Sequence, residues 1–554
     1  MIRSLLVAAA AIALLAPAAA AAGAPDAEIF ATDNTALITD LDDPRLDDPL
    51  TRFARTVERI VDRGGGQPRG TQLLDGVFFS SDLGGTTFER SRRFDVDRVS
   101  DGELHAIADR VRRRFLQQSV LTFDHLHKRD REVDAILLEV PGVTAQALRD
   151  GLLADPDAQE RLFGGSVTLD GRLLLVAALE DAGLARDFAR RIGGDLEGAR
   201  TSYGEREFVE GASPVRLEDG TLLIEGGAGD DHVEIEPVGD RVEVELNHEE
   251  FEARLDAFHS IRVDLGTGDG RADRVTVAGS RDDDQTSVLA FGGGVAVLAA
   301  SFVAIDGAEP TDRLAVGGGD GDDILSASTA AMRMTLDGGD GSDVLLGSPG
   351  DDLLIGGDDF DDVKGGRGDD VASLGGHFDR FSWAPGDGSD SVDGGASRDS
   401  LFFLGSDDAE AFTVSADGRR VRLTRDVGSI VMDLEDLEEI DTLAGRGADT
   451  FAVGDLRRTP VQLVDVSLSP GFGFPAGDGH PDRVTVQGTE RTDRMTLTGR
   501  VVVGGTATLT GLPATVNVSH AEGTLDVLGI DTRSGDDTLD SSGFDPATIG
   551  LEVE

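Results

Sequence analysis

Asp343, Asp352, Asp361, Asp370 and Asp379 stand nine residues apart, and after a slip of two the period resumes at Asp390 and Asp399. Two positions beyond them lie Leu345, Leu354, Val363, Ala372, Phe381, Val392 and Leu401. Glycines precede most of the acids, at Gly338, Gly347, Gly356 and Gly365, and the pair Asp323/Leu325 repeats the pattern upstream. The fullest copies are Gly-Gly-Asp-Gly-Ser-Asp-Val-Leu from Gly338 and Gly-Gly-Arg-Gly-Asp-Asp-Val-Ala from Gly365. Acids at this spacing suit cation chemistry. If two nonapeptides make one coil, Asp343 lies beside Asp361, Asp352 beside Asp370 and Asp361 beside Asp379, at the ~4.8 Å spacing of neighbouring strands. Two carboxylates so placed match opposite sides of a Ca²⁺ ion, whose Ca–O distances are ~2.3–2.6 Å, and carbonyls of the glycine turns can complete the oxygen shell.

The elements that position these acids follow from the same period. Glycine permits the tight turn, and the apolar residue two positions after each Asp belongs to a short strand pointing into a narrow core. The segment from Leu336 to Leu401 holds sixteen Asp and no Glu against Lys364, Arg367, Arg380 and Arg398, a net charge of −12. A roll this thin and this acidic should not close without cations. The nonapeptide G-G-x-G-x-D-x-U-x is the repeat of calcium-associated parallel β structures. Over residues 318–401 the chain resembles the repeats-in-toxin (RTX) group of secreted bacterial calcium-binding proteins. The resemblance implies a parallel β-roll folding on Ca²⁺, with metal ligands from Asp323, Asp343, Asp352, Asp361, Asp370, Asp379, Asp390 and Asp399 and from main-chain oxygens at Gly338, Gly347, Gly356 and Gly365.

Composition agrees with export and with cations as partners. The chain of 554 residues has a formal net charge of −54 and a pI near 4.3, which argues against nucleic acid or an anionic membrane. Residues 1–24 read as a secretory signal peptide: Arg3 at the start, an apolar stretch from Leu5 to Leu15, and small residues from Ala18 to Ala22. There is no cysteine, so calcium rather than disulfide would staple the exported chain.

Residues 66–212 carry the periods of a small α+β domain. Gly76 to Ser80 is expected as a strand, Ser100-Asp101 as the cap of a helix through Leu116, Val120–Leu126 and Ala135–Val140 as strands, and Thr144–Phe163 as a helix interrupted near Pro156. A hairpin over Ser166–Leu179 and a helix from Asp181 to Ile192 complete a ferredoxin-like β-α-β-β-α-β order. Ahead of it only Leu50–Val61 is expected to be helical.

From Thr221 the chain turns β, and a duplication appears. Gly268 to Val277 recurs as Gly477 to Val486, and Gly321-Asp322-Asp323-Ile324-Leu325 recurs as Gly535-Asp536-Asp537-Thr538-Leu539. Two β modules, 215–335 and 406–554, thus flank the roll at 336–405, and stacked repeats imply a solenoid. The uncharged run Thr286–Ile305 is long enough to span a membrane, but its glycines and β-branched residues favour strands, so no membrane span is expected in the mature chain.

Other candidates weigh less. No H-E-x-x-H or G-x-S-x-G occurs. His125 and His127 would share a strand face and could hold a metal, although two solvated histidines are the simpler reading. His232, His259 and His480 read as solvated, and Arg367-Gly368-Asp369 falls where the repeat itself demands Gly368. Asp231, Asp449 and Asp537 sit in isolated motifs with no partner eighteen residues on. The expectation is a secreted, mostly-β calcium-binding protein with a structural or adhesive role, its partners calcium ions and cell-surface or matrix components. The alternative is an exported enzyme whose catalysis lies in 66–212. N-terminal sequencing of secreted material should begin at Ala21 or Gly23, and an intact Met1 would rule out the leader.

Overall fold

The computed structural model describes residues 24–33, 38–81, 83–218, 220–227, 229–265, 273–291, 294–299, 302–306, 312–327, 333–501 and 504–554. All but the last residue of the expected leader, Gly268–Ala272 of the first duplicated copy and Gly292-Gly293 lie outside them. The chain is mostly β and divides into two compact units, Met1–Ala212 and Ser213–Glu554.

The first unit carries the strand and helix order β-α-β-β-α-β twice. Ala27–Ala31, Thr51–Arg63, Gln67–Ser80, Gly85–Asp97, Asp101–Arg114 and Ser119–His125 form one set. Ala135–Pro141, the helices Ala145–Ala154 and Pro156–Arg161, Gly164–Thr168, Arg172–Ala178, Ala182–Arg191 and Arg200–Glu210 form the other. Their eight strands pair antiparallel and close into one barrel, with Ala27–Ala31 between Gly85–Asp97 and Ser119–His125. The sequence order suggested a single layer beginning at residue 66. The first strand and first helix lie ahead of that boundary, and Gly85–Asp97 was not anticipated because polar residues facing the barrel interior mask its alternation.

Local chemistry accounts for the helices. Glu103 accepts from both the amide and the hydroxyl of Ser100, capping Asp101–Arg114. Leu104, Ile107, Ala108 and Val111 recur at helical spacing and are buried against Phe53, Phe94 and Phe115. Pro156 breaks the helix after Ala154 and starts the next one, where Asp155 caps two amides.

The second unit is built from two long sheets. Strands Ile324–Ser326, Val344–Leu346, Asp362–Lys364, Arg380–Trp383 and Ser400–Leu404 pair parallel in a sheet of seventeen. Met334–Asp340, Leu353–Asp358, Val371–Gly375 and Ser391–Gly395 pair parallel in a sheet of sixteen. Successive nonapeptides therefore alternate between the sheets. Leu345 is opposite Val363 and Leu354 opposite Ala372, and the slip of two is absorbed where Phe381 meets Leu401. Leu345, Leu354, Val363, Phe381, Val392 and Leu401 are all fully buried.

Four antiparallel three-stranded meanders interrupt this parallel stacking. The sixteen-stranded sheet takes His232–Arg254 and Ala411–Glu435, and the seventeen-stranded sheet takes Gln285–Asp306 and Arg494–Ala521. Each duplicated copy thus has one meander in each sheet, and the second copy inserts an additional coil, Thr450–Val453 with Leu463–Ser467. The described parts of the uncharged run Thr286–Ile305 belong to one of these meanders. Among the described residues no helix is long and apolar enough to cross a membrane.

Turn glycines set how closely coils stack. Gly368 has φ +114°, and a Cβ there would collide with the carbonyl of Gly350 in the preceding coil. This is why glycine occupies the middle of Arg367-Gly368-Asp369. Gly418 has φ +69° in a hairpin turn with open space around it. Gly418→Ala should therefore cost only about 1 kcal/mol. Gly368→Ala, which adds a backbone clash, should cost about 3 kcal/mol or more. Urea unfolding followed through Trp383 fluorescence measures both, and equal losses would mean that coil stacking does not require Gly368.

Candidate functional site

The acids predicted from the nine-residue period line the turns between the two sheets, and all are buried. Each uses one carboxylate oxygen in the same way. The main-chain N–H of Asp343 donates to Oδ1 of Asp361 at 2.9 Å, and the N–H of Asp361 to Oδ1 of Asp379 at 2.8 Å. The row is continuous from Asp284 through Asp323, Asp343, Asp361, Asp379 and Asp399 to Glu438. In the opposite turns Met334, Asp352, Asp370 and Asp390 form the equivalent row. A charged acceptor on a buried amide is among the stronger hydrogen bonds. Side-by-side carboxylates are thus joined through the backbone, and each has one oxygen left.

The fate of that second oxygen divides the acids. In Asp231, Asp284, Asp352, Asp493 and Asp526 it accepts from the amide four residues earlier, in Gly227, Ser280, Ser348, Thr489 and Glu522, at 2.6–2.7 Å. In Asp323, Asp343, Asp361, Asp370, Asp379, Asp390, Asp399 and Asp449 it is buried with no hydrogen-bond partner. The residue four before each of these eight is a glycine with φ between +89° and +130°: Gly319, Gly339, Gly357, Gly366, Gly375, Gly386, Gly395 and Gly445. The left-handed conformation withdraws the amide that caps the other acids. The first glycine of the repeat then packs against the bare oxygen. A Cβ on Gly338, Gly356 or Gly365 would collide with the carboxylate of Asp343, Asp361 or Asp370, and one on Gly347 with the carbonyl of Gly365.

Burial without a donor or a cation disfavours ionisation. Desolvation pushes Asp343 and Asp379 up to about 6, Asp361, Asp390, Asp399 and Asp449 to about 7, and Asp370 to about 8. Asp352 and Asp323 are also raised, again by burial, against the hydrogen bonds they accept.

The ladder extends beyond the predicted acids. Asp231, Asp273 and Asp312 form one row, Glu410, Asp449, Asp482 and Asp526 another, and Asp493 pairs with Asp537. The partners of Asp231, Asp449 and Asp537 lie 42, 33 and 44 residues away, because meanders or long loops separate the coils. A search for partners at eighteen misses them. The available signal is an Asp two residues ahead of a buried strand residue, as in Asp273-Arg274-Val275 and Asp482-Arg483-Val484.

The histidines stay apart. His125 is tied to Glu28 at 2.9 Å, whereas His127 lies beyond the end of its strand, almost fully exposed, so the two share no face. His480 is held by Asp478. Among the described residues no three His, Asp or Glu side chains converge on one point. A cation held in these turns would therefore need main-chain carbonyls as well as carboxylates.

No protein-family model matches the chain, and no curated protein matches it.

The raised acids bind protons in the folded state that the unfolded chain, with Asp near 3.9, releases. With a chelator present, urea resistance of the second unit should therefore fall as pH rises from 5.5 to 8.5. Asp370→Asn keeps the ladder acceptor without the charge, and its stability relative to the parent should rise by about 1–3 kcal/mol between pH 5.5 and pH 8.5. A pH-independent difference would mean that Asp370 does not titrate in this range.

Proposed function

We propose that this is an exported calcium-binding protein whose nonapeptide coils form a parallel β-roll that folds on Ca²⁺ and serves a structural or adhesive role outside the cell. One observation carries the reading. Along the coils the turn glycines leave one oxygen of each acid buried without a donor, at Asp323, Asp343, Asp361, Asp370, Asp379, Asp390 and Asp399. An unpaired buried carboxylate costs far more than a neutral orphan, and a row of them in neighbouring coils adds repulsion of ~1 kcal/mol or more per contact even in a high dielectric. A hard cation removes both penalties. The donors on offer are all oxygens, carboxylate and turn carbonyl, which suits Ca²⁺ better than a transition metal.

The same argument ranks the residues. The seven acids lacking a donor, with turn carbonyls beside Gly338, Gly356 and Gly365, would hold the cations. Asp352, capped by the amide and hydroxyl of Ser348, is already satisfied and would contribute least. Gly347, which packs beside Asp352, would matter for stacking more than for ligation. Binding would supply the missing stability, so calcium and closure of the roll would be one equilibrium. The resemblance to RTX repeats and the leader at the N-terminus support an extracellular setting, where free calcium is abundant enough to fill such sites.

The sole tryptophan reports on this region. Trp383 is buried, donates from Nε1 to the Gly388 carbonyl at 2.9 Å, and stacks on Phe403 with ring centroids 4.1 Å apart. Titrating calcium into the chelated protein should shift its emission cooperatively. Magnesium should do much less, because it demands tighter octahedral geometry. Asp361→Ala should raise the calcium midpoint more than Asp399→Ala, the last bare acid of the row, and Asp352→Ala least. Identical Trp383 emission and protease resistance in calcium and in chelator would refute the reading.

A further inference from the structure

The interior of the first unit's barrel is layered. Along Gly85–Asp97 the inward side chains run Glu89, Ser91, Arg93 and Asp95. Near one end Arg93 joins Glu139 at 2.8 Å and Gln72 at 3.0 Å, while His125 joins Glu28. Leu74, Phe123, Leu137 and Leu174 plug the middle. Beyond the plug a cavity of about 400 Å³ remains, walled by Phe30, Phe78, Leu121 and Val176 and reached past Phe163 and Phe208.

Three features set this cavity apart from a packing defect. Gln117 is 9 % exposed, its Oε1 accepts from the Thr32 amide at 3.3 Å, and its Nε2 lies buried on the cavity wall with no partner. That acceptor bond leaves Nε2 as the end of the amide without a partner, a buried donor on a residue that lines the cavity. Phe163 holds φ +59° at the mouth while 61 % exposed, a conformation that an aromatic residue rarely adopts and an exposure that apolar packing does not explain. Glu89 faces the same space beside Ser91 with no ion pair.

We propose that the barrel binds a small, mainly apolar organic molecule bearing an acceptor oxygen, a carbonyl or a carboxylate, with Gln117 as the anchoring donor and Glu89 beside it. The volume lies in the ~300–1,000 Å³ range of small-molecule sites, and aromatic walls with few polar groups are their usual lining. Burial pushes Glu89 up to about 7, so near neutrality its carboxyl carries a proton for much of the time and is a second donor. Arg206 on the lining is a third. These donors favour a ligand that offers an acceptor. The buried Gln117 donor without a partner costs free energy in the empty barrel, and an oxygen-bearing guest within its reach recovers it.

The test uses the full chain in calcium buffer and four probes of one shape: naphthalene, 2-acetylnaphthalene, 2-naphthoate and 2-naphthylmethylammonium. Calorimetry and naphthalene emission should give one site for the ketone and the carboxylate, each bound about tenfold or more tighter than naphthalene, the worth of one good hydrogen bond. Gln117→Leu should erase that advantage. Glu89→Gln, which keeps a donor, should retain it, and Ser166→Phe, which fills the cavity, should abolish binding of all probes. Tightest binding of the ammonium, lost in Glu89→Gln, would overturn the assignment in favour of a cation site. Equal affinity for naphthalene and the ketone, or no binding by any probe, would overturn it as well. Circular dichroism identifies any variant that fails to fold, and the four-probe comparison on the parent chain then decides alone.

Discussion

The second unit depends on one interaction, a main-chain N–H that donates to the carboxylate of the neighbouring turn. It links Asp343 to Asp361 and Asp352 to Asp370 in the nonapeptide coils, and Asp482 to Asp526 near the C-terminus. The bond sits in the turn, where strand pairing has ended and an amide would otherwise be buried without an acceptor. A carboxylate satisfies it more strongly than a carbonyl and ties coil to coil where the sheets cannot. Its cost is a column of buried acids.

How that cost is met is decided four residues upstream. Ser348 and Thr489 present an amide to the second oxygen of Asp352 and Asp493, and their hydroxyls add another bond. Gly339 and Gly357, in the left-handed region, do not, and Asp343 and Asp361 are left bare. The backbone conformation at that one position therefore separates an acid that completes its own hydrogen bonding from one that needs a cation or a proton. The glycine is required twice over, because Gly339 and Gly357 also lie against the carbonyls of Gly319 and Gly339 in the coil before. Stacking and the bare oxygen are consequences of the same backbone conformation.

The meanders follow from the same ladder. Each adds two strands to one sheet, widening it by about 10 Å at the ordinary strand spacing. A meander in only one sheet would throw the turns out of register. Each duplicated copy carries one in each sheet, 232–254 with 285–306 and 411–435 with 494–521, and the carboxylate rows resume beyond them. At the head of one row, the buried pair of Arg425 with Glu410 ties a meander strand to the ladder.

The period of nine, the slip of two and the burial of Leu345, Val363 and Phe381 could be read from the chain itself, because a repeating unit that cannot bury its apolar face alone must stack on its copy. The helix from Asp101 was equally plain, since its cap and its apolar stripe are local. Other features depended on contacts distant in sequence. Ala27–Ala31 is a strand only because Gly85–Asp97 and Ser119–His125 lie on either side of it. Gly85–Asp97 shows no clean alternation, since Glu89, Ser91, Arg93 and Asp95 face an interior that is partly polar and partly hollow. The partners of Asp231, Asp449 and Asp537 lie across meanders and loops whose length no fixed period encodes. The sequence by itself determined which acids of the nonapeptide stretch would line the turns, through the spacing of Asp and glycine. Only the tertiary structure decided which of their oxygens would be left without a donor, because that depends on the direction of an amide set by one backbone angle.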